Sequence, residues 1–291
     1  MLNDSQKAWT RRDVMRMLAA GVTGSALLPT LTRAASFAGS DESSRIERVG
    51  LQLYTVRSAL SKDIEGTMAA VAKAGITEVE FFNLFGKDAA FWREQLSRNG
   101  LTAPAAHEGL PNTDDGWDPI FERANVIGHK VVFVPFVGNE YRGTRANWQR
   151  LAERLNIAAS RAKAAGLEFG YHNHDFEFAA VEGTTGYDIL TTETDRSLVK
   201  LELDLYWAVK AGQDPMALLK KWPGRVVAFH VKDAGPPPER AMLDVGKGTI
   251  DFKSLIAQGR KQGLRHWFIE HDNPTDPIAS ITASAAALKA L

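Results

Sequence analysis

From Arg48 onward, short apolar runs alternate with segments of helical period, eight times over. The runs are "GLQLYTV" (50–56), "TEVEFF" (77–82), "LTAPAA" (101–106), "KVVFVPF" (130–136), "LEFGYH" (167–172), "VKLELD" (199–204), "RVVAFHV" (225–231) and "HWFIEH" (266–271). Between them lie amphipathic stretches. In "NWQRLAERLNIAASRAKAAG", Leu151, Leu155 and Ala158 or Ala159 recur at spacings of three and four, one buried stripe. Gly75, Gly100 and Gly166 stand just before the next strand, where a helix is expected to stop. Eight such units in about 245 residues predict an α/β fold, a single closed (β/α)₈ TIM barrel over 48–291. The competing doubly wound sheet would want a glycine-rich phosphate turn after its first strand, and "LYTVRSALSKD" has no glycine.

The first 35 residues read differently. Arg11-Arg12 precedes a weakly apolar stretch from Met17 to Leu31, broken by Gly21, Gly24 and Pro29, and small residues follow at Ala34, Ala35 and Ala38. This is the layout of a twin-arginine export signal, which sets residues 1–35 apart from the fold and predicts a periplasmic protein. An amphipathic N-terminal helix is the alternative. Lys+Arg and Asp+Glu both number 35, so no basic excess advertises nucleic acid or an anionic membrane. The absence of cysteine excludes disulfides, thiolate nucleophiles, cysteine metal sites and a lipid-anchored N-terminus.

In a barrel of this type, chemistry gathers where strands end. Strand two ends near Glu80 and strand three at His107-Glu108. Strand five ends at His172, followed by His174 and Glu177. Strand six ends at Asp204, strand seven at His230, Lys232 and Asp233, and strand eight at Glu270, His271 and Asp272. Five of the seven histidines fall at these ends. Each nevertheless has a plain reading: a lone strand-end histidine can be a hydrogen-bonded core residue, and Asp204 can cap the next helix. His172, Asp204, His230 and Glu270 finish four consecutive strands. Imidazole and carboxylate without thiolate suit one divalent ion such as Mn²⁺, Co²⁺, Zn²⁺ or Mg²⁺, with positions left for substrate.

The order "HEGL", "YHNHDFEF", "LELDLYWAVKAGQDP", "FHVKD", "DVGKGTIDF" and "FIEHD" resembles the sugar phosphate isomerase/epimerase-like superfamily, the xylose isomerase-like TIM barrels. The resemblance covers 48–291 and implies one divalent metal held by His172, Asp204, His230 and Glu270. It also implies substrate contacts at Lys232 and His107, and Trp207 follows Asp204 by three residues as a further expected substrate neighbour. The epimerases typically end strand five in glutamate and use two metal-bound glutamates as acid and base. Here that position is His172, and a metal-bound imidazole has no lone pair to spare for a proton. At strand five the chain is closer to the inosose dehydratase-like branch. Glu270 is thus the expected base, assisted by Lys232. His174 is the expected proton carrier or substrate contact, although His172 and His174 could exchange roles. Glu177 is a candidate for the missing glutamate.

The resulting expectation is a divalent-metal-dependent isomerase, epimerase or dehydratase/lyase. Its reaction would be enolisation next to a carbonyl of a small carbohydrate, namely an unphosphorylated sugar, cyclitol or keto-glycoside. Phosphorylated intermediates are mostly intracellular, so export favours an unphosphorylated substrate. The alternatives are a periplasmic sugar-binding barrel without turnover and a phosphodiesterase acting on damaged DNA. Against the latter, Trp207 stands where such endonucleases typically have a histidine ligand.

Overall fold

The structure is a computed structural model that describes residues 46–291. The expected export segment, 1–35, lies outside the described residues. Eight parallel strands close a barrel: β1 (Gly50–Gln52), β2 (Glu78–Phe81), β3 (Thr102–His107), β4 (Val131–Val134), β5 (Glu168–His172), β6 (Val199–Asp204), β7 (Val226–Val231) and β8 (His266–Ile269). Each pairs with its neighbours in sequence, and β8 returns to β1 through Gly50–Phe268 and Leu51–Ile269. Two of the strands, β1 and β4, fall three or more residues short of their runs. β1 stops at Gln52 because its side chain accepts the Tyr54 N–H (3.1 Å) and turns Leu53–Val56 into a 3₁₀ helix. β4 stops before Pro135, which has no N–H for a ladder.

The intervening helices begin where the sequence offers caps. Asp63, Asp88, Thr144, Thr185, Asp251 and Asp276 each accept a first-turn N–H. The glycines at 75, 100 and 166 have φ of +82°, +63° and +78°, a left-handed exit that a side chain resists. The helices bury their apolar faces on the outside of the barrel, against outward strand residues such as Tyr171, Leu203, Phe229 and Trp267.

Because side chains alternate along a strand, the residues between these point into the barrel. There the pattern changes with depth. Ala105, Val131, Phe133, Ala228 and Phe268 form a small apolar cluster, and above it stand His107, His172, Glu202, Asp204, His230 and Glu270. The two phenylalanine rings fit because glycine faces them. A Cβ on Gly170 would lie 2.7 Å from the Phe133 ring and from the Lys200 carbonyl, and one on Gly50 would lie 2.5 Å from Phe268. Gly170→Ala is therefore expected to cost about 1–3 kcal/mol, the usual penalty for overpacking a core. A urea melt with an unchanged midpoint would contradict this account of the barrel floor.

The loop after β7 is organised by one carboxylate. Buried Asp233 accepts N–H groups from Ala234 (2.9 Å), Gly246 (3.0 Å), Gly248 (2.8 Å) and Ile250 (3.2 Å), so the "GKG" turn wraps around it. Arg225, likewise buried, donates to the carbonyls of Val199 and Thr191 and to Thr194 Oγ1, tying the start of β7 to β6 and to the helix before it. These contacts give the turn and the arginine structural roles.

Candidate active site

The polar residues stand in two layers at the C-terminal end of the barrel. In the lower layer, Glu202 Oε2 lies 2.6 Å from His107 Nε2, 3.1 Å from His172 Nδ1 and 3.2 Å from His230 Nε2. Glu80 Oε2 lies 2.6 Å from His230 Nε2 and 3.3 Å from His107 Nε2, and it accepts the Gln52 side-chain N–H at 2.8 Å. Both carboxylates are fully buried. Burial and the charge of Glu202 push Glu80 above the usual carboxylate range. Burial also acts to raise Glu202, but His230 and His107 outweigh it and hold Glu202 well below that range.

The upper layer is built around Lys232, which is 2% exposed. Its Nζ lies 3.0 Å from Asp204 Oδ2, 2.7 Å from Glu270 Oε2 and 2.9 Å from Asp272 Oδ1. Burial disfavours the ammonium, yet these three carboxylates outweigh it, so Lys232 is charged. Glu270 Oε2 also meets His230 Nδ1 at 2.7 Å. Burial opposes its ionisation, but Lys232 and His230 prevail and keep it well below its ordinary value. Asp204 caps a helix with one oxygen and faces the site with the other. Its Oδ1 caps the following helix by accepting the Trp207 N–H (2.9 Å), while Oδ2 faces Lys232 and lies 3.8 Å from His172 Nε2 and 3.9 Å from His230 Nδ1. Burial lifts its pKa to about 6 against the pull of Lys232.

A cavity of about 370 Å³ opens above these layers. His107, His172, His174, Lys232, Glu270 and Asp272 line its polar part, and Tyr54, Phe82 and Phe136 line its rim. His172 and His174 do share a wall, because Asn173 between them turns to β6 and accepts the Asp204 N–H at 3.1 Å. His174 has a buried Nδ1 with no hydrogen-bond partner among the described residues. Burial, then the charge of Lys232, lowers its pKa to about 3, so the ring is neutral.

Three expected site residues are placed differently from the rest. Glu177 is not on the cavity wall. The 3₁₀ turn Phe176–Phe178 folds it inward, where its oxygens accept the Tyr171 O–H and the His174 backbone N–H, each at 2.8 Å. Burial lifts its pKa to about 8, so it stands behind His174 as a support. Trp207 is also off the wall, with its ring 5.4 Å from that of His174 and 5.7 Å from Lys232 Nζ. His107 is on the wall, but its Nε2 is turned down to Glu202 and Glu80. Sequence reasoning missed Glu202 altogether and left Glu80 without a role. The signal for Glu202 was present: it lies two residues before Asp204 on the same strand, hence on the same face.

The barrel that carries these donors has known counterparts. Residues 68–291 match the family described as xylose isomerase-like TIM barrel. The chain is 33% identical over 215 residues to inosose dehydratase of Clostridium perfringens, covering 67% of this chain and 71% of that enzyme. A 27% identical alignment with inosose dehydratase of Lacticaseibacillus casei spans 58% of that enzyme's length. Among solved structures, a sugar phosphate isomerase/epimerase from Parabacteroides distasonis superposes with a TM-score of 0.76 at 23% identity, covering 84% of this chain and 94% of that one. The zinc-bound IolI protein superposes with a TM-score of 0.64 at 15% identity, covering 84% and 95%. At those identities the structures speak for the fold, whereas the family match extends from the helix before the second strand to the last residue. On that footing the chain belongs to the xylose isomerase-like TIM barrel family.

Proposed function

We propose that this chain is a divalent-metal-dependent enzyme that enolises a small carbohydrate next to its carbonyl, leading to isomerisation, epimerisation or dehydration. The observation that carries the reading is the cavity itself, where an ionised carboxylate, a charged ammonium and a neutral imidazole meet beside a set of buried nitrogen and oxygen donors. Two overlapping donor groups are present, His107, His172, Glu202 and His230 below and Asp204, His230 and Glu270 above. Their imidazoles and carboxylates fit a divalent transition ion, and one buried oxygen each on Glu80 and Glu202 lacks a hydrogen-bond partner among the described residues. When bound, such an ion polarises a carbonyl and lowers the cost of removing the neighbouring proton. The printed names of the curated relatives support dehydration of a cyclitol as one member of this reaction class, and they lend no support to a barrel that binds sugar without turnover.

The chain's own residues divide the proton work. Glu270 is held ionised, the form that can accept a proton from the carbon. Lys232, beside it, presents a charged donor to the oxygen on which negative charge develops. His174, neutral and with an unused Nδ1, can relay a proton to a departing or returning oxygen only by taking one up at one ring nitrogen as it releases one from the other. Among the described residues no arginine and one lysine line the cavity, and that lysine is already matched by three carboxylates, which favours an unphosphorylated substrate. The test is proton exchange in D₂O, followed by NMR, over a panel of inososes, keto sugars and keto-glycosides with metal-replete protein. Deuterium is expected at the carbon next to the carbonyl of at least one member. Failure to exchange any of them, with metal bound, would defeat the enolisation reading.

A further inference from the structure

We propose that the aromatic mouth of the cavity is a second subsite, which holds a ring attached to the reacting sugar, so that the substrate is a keto-glycoside and not a single ring. The inference rests on the enolisation reading above and names its substrate class. Among the described residues Tyr54, at 37%, and Phe136, at 54%, are the only exposed aromatic side chains, and both line this one cavity. Phe82 joins them there, with its ring 5.1 Å from that of Tyr54 and nearly perpendicular to it. Single exposed apolar side chains are ordinary, but aromatic rings gathered at the mouth of one pocket mark a binding surface.

The wall is divided between two arcs. His174, Lys232, Glu270 and Asp272 follow β5, β7 and β8, whereas Tyr54, Phe82 and Phe136 follow β1, β2 and β4. Two of these rings are also backed by arginines. The Arg57 guanidinium lies 3.9 Å from the centre of the Tyr54 ring and is itself tied to the carbonyls of Tyr54 (2.9 Å) and Asp272 (2.7 Å) and to Asn273 Oδ1 (2.8 Å). Arg142 lies 4.3 Å from the Phe136 ring and 3.4 Å from the Phe176 ring, and donates to the Val137 carbonyl at 2.8 Å. Rings held in this way have little rotamer freedom left to lose on binding. Neither arginine lines the cavity, so this arc offers a ligand aromatic surface and not charge.

Geometry separates the ring on the aromatic arc from the reacting one. Enolisation needs the carbonyl and its neighbouring carbon beside Lys232 and Glu270, which commits the reacting sugar to the polar arc. The two arcs meet at His174, whose ring stands 5.9 Å from that of Phe136 and perpendicular to it. A substituent on the oxygen that His174 serves therefore extends along Phe136, whereas the hydroxyl of a single ring carries nothing that would reach there. A flat apolar face is what such a surface recognises, and an aryl ring or the C–H face of a second sugar supplies one. The cavity, at about 370 Å³, falls in the range of pockets that enclose drug-sized ligands.

The experiment measures binding by calorimetry on the full, metal-loaded chain carrying Glu270→Gln, which leaves the ligand intact. The probes are the methyl, phenyl and glucosyl glycosides of 3-keto-glucose. The phenyl or the glucosyl compound is expected to bind about 10-fold more tightly than the methyl one, the size of a good aromatic contact. Whichever of the two does so identifies the second ring. Adding Phe136→Ala should bring that ratio below about 3-fold, and Tyr54→Ala should lower it in the same direction. Equal affinity for all three probes, no binding of any, or a ratio that survives both substitutions together would overturn the subsite. Deuterium exchange into the same glycosides by the wild-type chain is scored separately. Exchange without a ratio removes the subsite and keeps the enolisation reading, whereas a ratio without exchange keeps the subsite and defeats that reading.

Discussion

Glu270→Gln is expected to lower kcat by about 10²–10⁴, the range for a lost general base. The amide keeps the shape of the side chain but cannot accept a proton at neutral pH. It also changes the contact at Oε2, where His230 and Lys232 both approach to 2.7 Å, so substrate affinity and metal content should be measured alongside turnover. Metal is expected to remain, held in part by the amide oxygen. The depression of the Glu270 pKa has a consequence for the pH profile. A carboxylate held well below its ordinary value is already in its basic form at neutral pH, so the acid limb of wild-type activity should not come from Glu270 near neutrality. Wild-type turnover by metal-loaded Glu270→Gln would place the base elsewhere.

Lys232→Met should be the most damaging single change for stability. It removes the one cation shared by Asp204, Glu270 and Asp272, and stripping a partner from a buried ion pair costs about 3–5 kcal/mol. The loss has a signed pH dependence. Without the ammonium, the folded-state pKa values of Asp204 and Glu270 rise above their unfolded values, so the folded variant binds protons that the unfolded chain does not. Its stability therefore recovers as the pH falls, and the gap to wild type should be wider at pH 8 than at pH 5. Urea melts at both values, on metal-free and metal-loaded protein, provide the measurement. A gap that is absent, or equal at both pH values, would mean that Lys232 is not what balances these carboxylates. Turnover should fall as well, since the same ammonium faces the cavity.

The barrel was legible in the sequence because its two periods are cleanly separated. Strand runs such as "VKLELD" coincide with β6 residue for residue, and the helix stops at Gly75, Gly100 and Gly166 fall at their left-handed exits. Strand ends were less legible where a side chain, not the ladder, stops the strand. Gln52 does this by bonding to its own backbone two residues on. The site was legible as a wall of strand-end residues, of which His172, His174, Lys232 and Glu270 do reach one cavity. Attention to strand ends had a cost, however. Glu202 is inside a strand, so it was passed over although it touches three histidines. Glu177 looked available because a sequence shows spacing but not the turn that carries a side chain inward. Neither depth within a barrel nor the direction of a turn is written in a run of letters.

The carboxylate of Asp233 makes one stretch of the chain interchangeable. Four backbone N–H groups from both sides of the loop converge on it, and Asp233–Ala234 pairs with Met242–Leu243 in a short antiparallel ladder. The exposed residues 236–239 hang beyond that ladder, so their length and composition can drift without transmitting movement to Lys232, one residue before the anchor. Such a stretch is where an engineer can graft while the charged centre of the site stays in place.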